Sequence, residues 1–264
     1  MNHEEKYRRI YEAKDYGELR GKDALLGIYE SKDDYFYKLA RRRAQIVMKY
    51  YNGGEVLDVC AGNGAYMYML APYIEKIFGI EFQKKAVEDL NAYFENNNVT
   101  NALEIEADAR KIPFDDSTFA VSYCFSSLYD IPEFERVICE MTRVTQREGI
   151  VILDLGNKRS INSIISSYYT KTRGLPETTY LSDYEIDVLL KNCHIEPIEI
   201  LHFQLFPYWG NHPSFLRFFC GKRMNHIMGK EINGRMLDEI ISNFPFIKKY
   251  AFRRIVVCRN RCDI

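Results

Sequence analysis

Asp58 stands near the end of a short apolar run, Glu55-Val-Leu-Asp-Val-Cys60, and Gly62 and Gly64 follow within six residues. An acid on a buried strand followed by a Gly-x-Gly turn suits ligand binding. Glycine lets backbone approach a ligand with no Cβ in the way. N–H groups left open where a helix begins attract an electron-rich group. Glu81 ends the next apolar run, Lys76-Ile-Phe-Gly-Ile-Glu81, 17 residues after Gly64. A carboxylate there accepts two hydrogen bonds from ribose hydroxyls. The bland alternative is a tight turn and a surface glutamate. A lone Gly-x-Gly is weak, but strand, glycine turn, helix, strand and terminal acid in this order is a much stronger signal.

These residues need a scaffold, and the chain supplies alternating elements. The runs EVLDVC, KIFGIE, ALEIEAD, FAVSYCF and GIVILDL read as five short buried strands. Helical stretches separate them, from AGNGAYMYMLAPYI through KKAVEDLNAYFENNN to PEFERVICEMTRVT. Connections of this length allow parallel crossovers, which predicts a doubly wound α/β sheet. Residues 33–51 predict a preceding helix that ends at Gly53-Gly54. After the fifth strand, LSDYEIDVLLKNCH predicts a helix with Ser182 as N-cap. IEPIEILHFQLF is a sixth strand, residues 208–248 break the rhythm with helix-like pieces, and YAFRRIVVC closes the sheet. The expected organisation is a single domain over 1–264, with a helical cap at 1–52. The 208–248 insertion is expected to line a pocket.

The segment Asp58-Val-Cys60-Ala-Gly62-Asn-Gly64, with FGIEFQKKAVEDL, EADARKIPFDDSTFAVSYCF and the fourth- and fifth-strand block, resembles the class I SAM-dependent methyltransferases. The likeness covers about residues 33–156 well, and 180–206 and 250–259 loosely. Cys60 replaces the first glycine of the family's D-x-G-x-G-x-G, so slightly less close backbone approach is expected there. The resemblance implies seven strands in the order 3-2-1-4-5-7-6, the last antiparallel, with N-terminal helices and a helical insertion before the last strand. It implies S-adenosyl-L-methionine as cofactor. Asp58 and main chain near Cys60, Gly62 and Gly64 would take its amino-acid end, and Glu81, beside Phe82, its ribose. Asp108 and Ala109 would take the adenine, although Asp108 also fits a helix or turn cap. Main chain at Cys124 and Phe125 would line the methionine portion.

The acceptor side is less legible. Tyr129 and Asp130 follow the fourth strand, where the family places substrate-facing groups, and a turn role is equally open. His212, in PYWGNHPSF, is a candidate base, with a structural or exposed histidine as the alternative. Tyr35, Tyr37, Tyr168, Tyr169 and Trp209 are candidate cavity walls or core residues. Arg41-Arg42-Arg43 reads as a solvated helix face. The tetrapeptide (D/N)-P-P-(Y/F), typical of amino methylation of nucleobases, is absent, which lowers DNA as an acceptor.

Formal net charge is -1, which excludes a uniformly basic nucleic-acid binder. That sum hides a segregation: residues 53–156 sum to -10 and residues 205–264 to +7. The pattern predicts a cation-tolerant cofactor half facing an anion-tolerant acceptor half. The basic GKRMNHIMGK and FIKKYAFRR then suggest a small or carrier-bound acceptor with phosphate or carboxylate, such as a glycan, nucleotide sugar or lipid headgroup. The alternatives are an RNA or protein methyltransferase and a non-catalytic SAM-binding scaffold. Seven cysteines without a CxxC pair predict no disulfide framework and no metal site. With no signal-like or membrane-spanning stretch, this predicts a cytoplasmic protein.

Overall fold

The computed structural model describes residues 32–173, 177–208 and 221–262. Its order is α1 (Tyr35–Tyr50), β1 (Glu55–Val59), α2 (Ala65–Leu70), β2 (Lys76–Glu81), α3 (Lys84–Asn96), β3 (Ala102–Glu106) and β4 (Phe119–Cys124). Then come α4 (Phe134–Val144), β5 (Thr145–Gly156), α5 (Ile161–Arg173), α6 (Asp183–Asn192) and β6 (Ile195–Phe203). The last elements are α7 (Lys222–Met228), β7 (Glu231–Ile232), β8 (Arg235–Met236), α8 (Leu237–Ser242) and β9 (Arg253–Asn260).

Seven strands form one sheet in the order β3-β2-β1-β4-β5-β9-β6. β9 runs antiparallel to both neighbours, while β1 to β5 pair in parallel. This is the expected order, with β9 in the place of the seventh strand. β7 and β8 pair with each other in a separate hairpin. The reading of 208–248 as helix-like pieces missed that hairpin. Asn233 and Gly234, both at positive φ, form its turn, the sequence that favours a two-residue hairpin loop. Helix α5 was also not anticipated.

Side chains alternate across the sheet as the two-residue strand period requires. Leu57, Val59, Val151 and Leu153 face α4 and α6, with Ile138, Met141, Leu189 and Leu190. Val56, Val121, Ile150, Ile152, Ile255 and Val257 face the other way, onto α1 and α2, with Leu39, Val47, Met67 and Leu70. Asp34 caps α1 by accepting from the Phe36 N–H. Ser182 and Glu185 form a reciprocal capping box on α6, as the sequence suggested.

α1 is locked to the insertion by polar contacts. The Tyr35 N–H donates to Asn225 Oδ1 at 2.8 Å, and Arg42 makes two bonds to Glu239. The Tyr35 hydroxyl donates to Asp238 Oδ2 at 2.7 Å. Tyr35 is therefore a core residue rather than a cavity wall, and Tyr168 is exposed. Tyr169's side chain and Trp209 lie outside the described residues. Contrary to expectation, the structure joins Cys139 of α4 to Cys193, just after α6, in a disulfide. The two are 54 residues apart and share no motif, so only the fold brings them together.

Candidate active site

The order of strands reverses between β1 and β4, and in such sheets ligands bind outside the carboxyl ends of the strands at that point. The turn after β1 occupies this place. Cys60, Gly62 and Gly64 have φ of 63°, 63° and 70°. Left-handed backbone costs a residue bearing a Cβ about 1–2 kcal/mol, so the position held by Cys60 favours glycine on conformation alone. Gly64 has a second constraint. A Cβ there would stand 2.4 Å from Leu90 Cδ2, so its bareness lets α3 pack against the turn.

The two acids flank this turn. Glu81 is buried and its carboxylate accepts from the Gly62 and Gln83 N–H groups, each at 3.2 Å. Asp58 is buried and lies opposite Tyr123 in the β1–β4 register. The Tyr123 hydroxyl donates to Asp58 Oδ2 at 3.0 Å. Burial pushes the Asp58 carboxyl well above the usual carboxylate range, against the Tyr123 hydrogen bond that lowers it.

Phe82 is half-buried beside Glu81 and Ala109 is buried. Asp108 does what a turn cap does: its Oδ1 accepts the Arg110 N–H at 2.9 Å, and its carboxylate pairs with the Arg110 guanidinium. Cys124 ends β4, fully buried, and Phe125 stacks on Tyr123 at 5.1 Å between ring centroids. Tyr66, in the first turn of α2, packs on Phe125 at 5.0 Å.

The ends of β4, β5 and β9 carry a polar cluster that was not foreseen. Arg43 of α1 and Arg253 of β9 both donate to Asp154 Oδ2 and to Ser126 Oγ. Arg43 also donates to the Tyr66 hydroxyl at 2.9 Å, and Arg253 Nε to Gln204 Oε1 at 2.7 Å. Arg43 is 5% exposed, so the reading of Arg41-Arg42-Arg43 as a solvated face fails there. The signal was present: Phe36, Leu39, Ala40, Arg43, Ile46 and Val47 share one helical stripe.

Tyr129 sits on a one-turn 3₁₀ helix, Leu128–Asp130, beside this cluster. Burial raises its hydroxyl above the ordinary tyrosine range although Arg253 pulls it down, so it stays protonated. Asp130 is half-buried in the same turn. His212 lies outside the described residues. His194 and His226 are exposed, and His202 is tied to Asn243.

The sheet order, the left-handed turn after β1 and the acid ending β2 define a class I SAM-dependent methyltransferase fold. Residues 57–153 match the family model described as a methyltransferase domain. A Caenorhabditis elegans sterol 4-C-methyltransferase is 35% identical over 101 residues, 38% of this chain and 30% of that protein. A Bacillus mycoides demethylmenaquinone methyltransferase is 27% identical over 119 residues, 44% of this chain and 50% of that one. This chain spans no more than about half the length of the curated relatives it matches. Geranyl diphosphate C-methyltransferase from Streptomyces coelicolor A3(2), solved with S-adenosyl-L-homocysteine, shares the fold. Its TM-score is 0.61 and its identity 15%, covering 99% of each chain. Residues 57–153 thus match a methyltransferase domain, and the fold around them is the one that class I SAM-dependent methyltransferases share.

Proposed function

We propose that this protein transfers a methyl group from S-adenosyl-L-methionine to an oxygen or nitrogen of a small or carrier-bound acceptor. The observation that carries the reading is the three-residue left-handed turn with buried carboxylates on the strands at either side, Asp58 and Glu81. The residues fit the cofactor's chemistry. A cationic amino group at the Asp58 carboxylate would offset the burial of its charge. Ribose hydroxyls at Glu81 would add donors to a carboxylate that now accepts two long backbone bonds. Asp108 and Ala109 are offered for the adenine, with Asp108 keeping its turn and its Arg110 pair.

The cofactor supplies a methyl on a sulfonium, displaced in line, so alignment of the acceptor carries much of the acceleration. The chain's own part is to align and desolvate. Tyr66, Phe125 and Tyr129 offer rings beside the turn. The neutral Tyr129 hydroxyl suits a hydrogen-bond donor better than a base, and Asp130 is the nearer candidate to receive a proton. The C. elegans and B. mycoides relatives are named for a sterol and a demethylmenaquinone, both small molecules, which favours that acceptor class over a macromolecule. Nucleic acid is disfavoured because Arg253 and Arg254 of the basic C-terminal block are buried, while Arg259 and Arg261 pair with Glu148. No helix among the described residues is long and apolar enough to cross a membrane.

Equilibrium titration with S-adenosyl-L-homocysteine tests the reading. Binding in the micromolar range is expected, and Glu81→Ala should weaken it by more than about 1 kcal/mol, because two charge-assisted hydrogen bonds go. Unchanged affinity in the variant would refute the ribose assignment. Absence of binding to the wild type would overturn the methyltransferase reading.

A further inference from the structure

We infer that residues 244–250, together with Arg159, form a docking surface that seats this protein on an anionic lipid bilayer. The inference goes beyond the methyltransferase reading and stands without it. The loop between α8 and β9 reads Phe-Pro-Phe-Ile-Lys-Lys-Tyr. Phe246 is 85% exposed, Phe244 53% and Tyr250 49%. These rings hold in water, side by side along one short loop, apolar surface of the kind that marks interaction sites.

The loop that carries them is tied at both ends. At its start the Asn243 side-chain amide donates to the His202 and Glu239 carbonyls and accepts the His202 N–H. At its end Asn157 Nδ2 donates to the Lys249 and Ala251 carbonyls, at 2.9 Å and 2.8 Å. Within it, the Ile247 and Lys248 N–H groups donate to the Phe244 carbonyl, each at 2.9 Å. The backbone therefore fixes the rings in their exposed positions, and little ordering entropy remains to be lost on docking.

The charge of the loop says what it meets. Lys248 and Lys249 are exposed, and so is Arg159, whose N–H donates to Asn157 Oδ1 beside the loop. Among the described residues none of the three forms a salt bridge, and the nearby acids are engaged: Asp183 pairs with Arg254 and Glu185 with Lys158. An anionic headgroup layer supplies the missing counter-charge, worth about five-fold in binding for each cation at the surface. The rings then enter the boundary between headgroups and acyl chains, and the lysine stems lie along it. A second copy of this chain is a poorer occupant. Two-fold pairing sets a patch against itself, and would place these cations against the same cations.

The surface stands at the site's end of the sheet. β9 begins where β5 ends, with Arg253 opposite Gly156, so the loop lies at the carboxyl ends of the parallel strands. Phe252, two residues past Tyr250, has its ring 5.9 Å from that of Tyr129, centroid to centroid. Docking turns this end of the sheet toward the bilayer, and an acceptor dissolved in lipid would reach the strand ends without passing through bulk water.

The test is sedimentation of the full chain with vesicles of phosphatidylcholine alone or mixed with phosphatidylglycerol. Binding to the mixed vesicles should be at least about ten-fold tighter and should weaken as salt rises. Phe246→Ser should weaken it by about ten-fold. Lys248→Gln with Lys249→Gln should remove most of the preference for mixed vesicles. Phe246→Trp keeps a ring in place and should bind as wild type does. Its added indole emission should shift to the blue with mixed vesicles, a readout that holds even where the serine variant does not fold. No binding to either vesicle, equal binding to both, or binding that neither the serine nor the glutamine variant reduces overturns the proposal. So does a wild-type dimer in analytical ultracentrifugation that Phe246→Ser turns into monomer, which would assign the rings to a second copy. Titration of the same samples with S-adenosyl-L-homocysteine reads the methyltransferase site separately, so either claim can fail alone.

Discussion

Asp58 shows what the burial of a single carboxylate does to stability. Burial holds its folded-state pKa above the unfolded value. Its contribution to stability is therefore full below the unfolded pKa and is lost as pH rises through the folded one. Asp58→Asn removes that loss and keeps an oxygen for the Tyr123 hydroxyl. The variant should melt higher than wild type at neutral pH, and its stability should fall less as pH rises from the unfolded carboxyl's pKa upward. It should also bind S-adenosyl-L-homocysteine at least ten-fold more weakly, about 1.4 kcal/mol, because a charged acceptor is gone. A calorimetric melt and a titration on the same sample read both; wild-type affinity would remove Asp58 from the cofactor site. Asp58, Gly62, Gly64 and Glu81 were legible because they follow one another in order around strand ends. Arg43 was not, because three consecutive arginines resemble a solvated run until the apolar stripe through position 43 is counted. Arg253 and Asp154 were hidden for a different reason. They lie 99 residues apart and meet only through the β5–β9 pairing.

At the scale of elements, the strands and main helices could be read from apolar runs and caps, since each signal is local. The insertion could not, because its pieces are short and are held by tertiary contacts. α1 docks there chiefly through Tyr35, Arg42 and Asn225. Tyr35→Phe leaves the ring in place but takes one of four donors from buried Asp238. The expected loss is about 1–2 kcal/mol in chemical denaturation, and a change under 0.3 kcal/mol would mean the contact is not a latch. The Cys139–Cys193 bridge ties α4 to the end of α6. Thiol titration of denatured, unreduced protein should find two fewer free thiols than after reduction, and reduction should lower stability by up to about 4 kcal/mol for a loop of this length. Seven free thiols would show the pair reduced.

Across the whole molecule, the segregated charge of the sequence does not become a dipole of two facing halves. Arg253 of the basic block is paired with Asp154 of the acidic one, and Arg259 and Arg261 with Glu148. Antiparallel β9 beside β5 brings the two blocks together, and topology of that kind is not visible in a running sum of charge. The fold places the turn after β1 and the Arg43–Arg253–Asp154 cluster at the same end of the sheet's central strands, with Tyr66 and Ser126 between them. A crystal structure with S-adenosyl-L-homocysteine tests this arrangement most directly. The account predicts ribose hydroxyls on Glu81, the amino group at Asp58, and the sulfur facing the space bounded by Tyr66, Tyr129 and Arg253. Density for the ligand away from the turn after β1, or a sulfur facing away from the arginines, would contradict it.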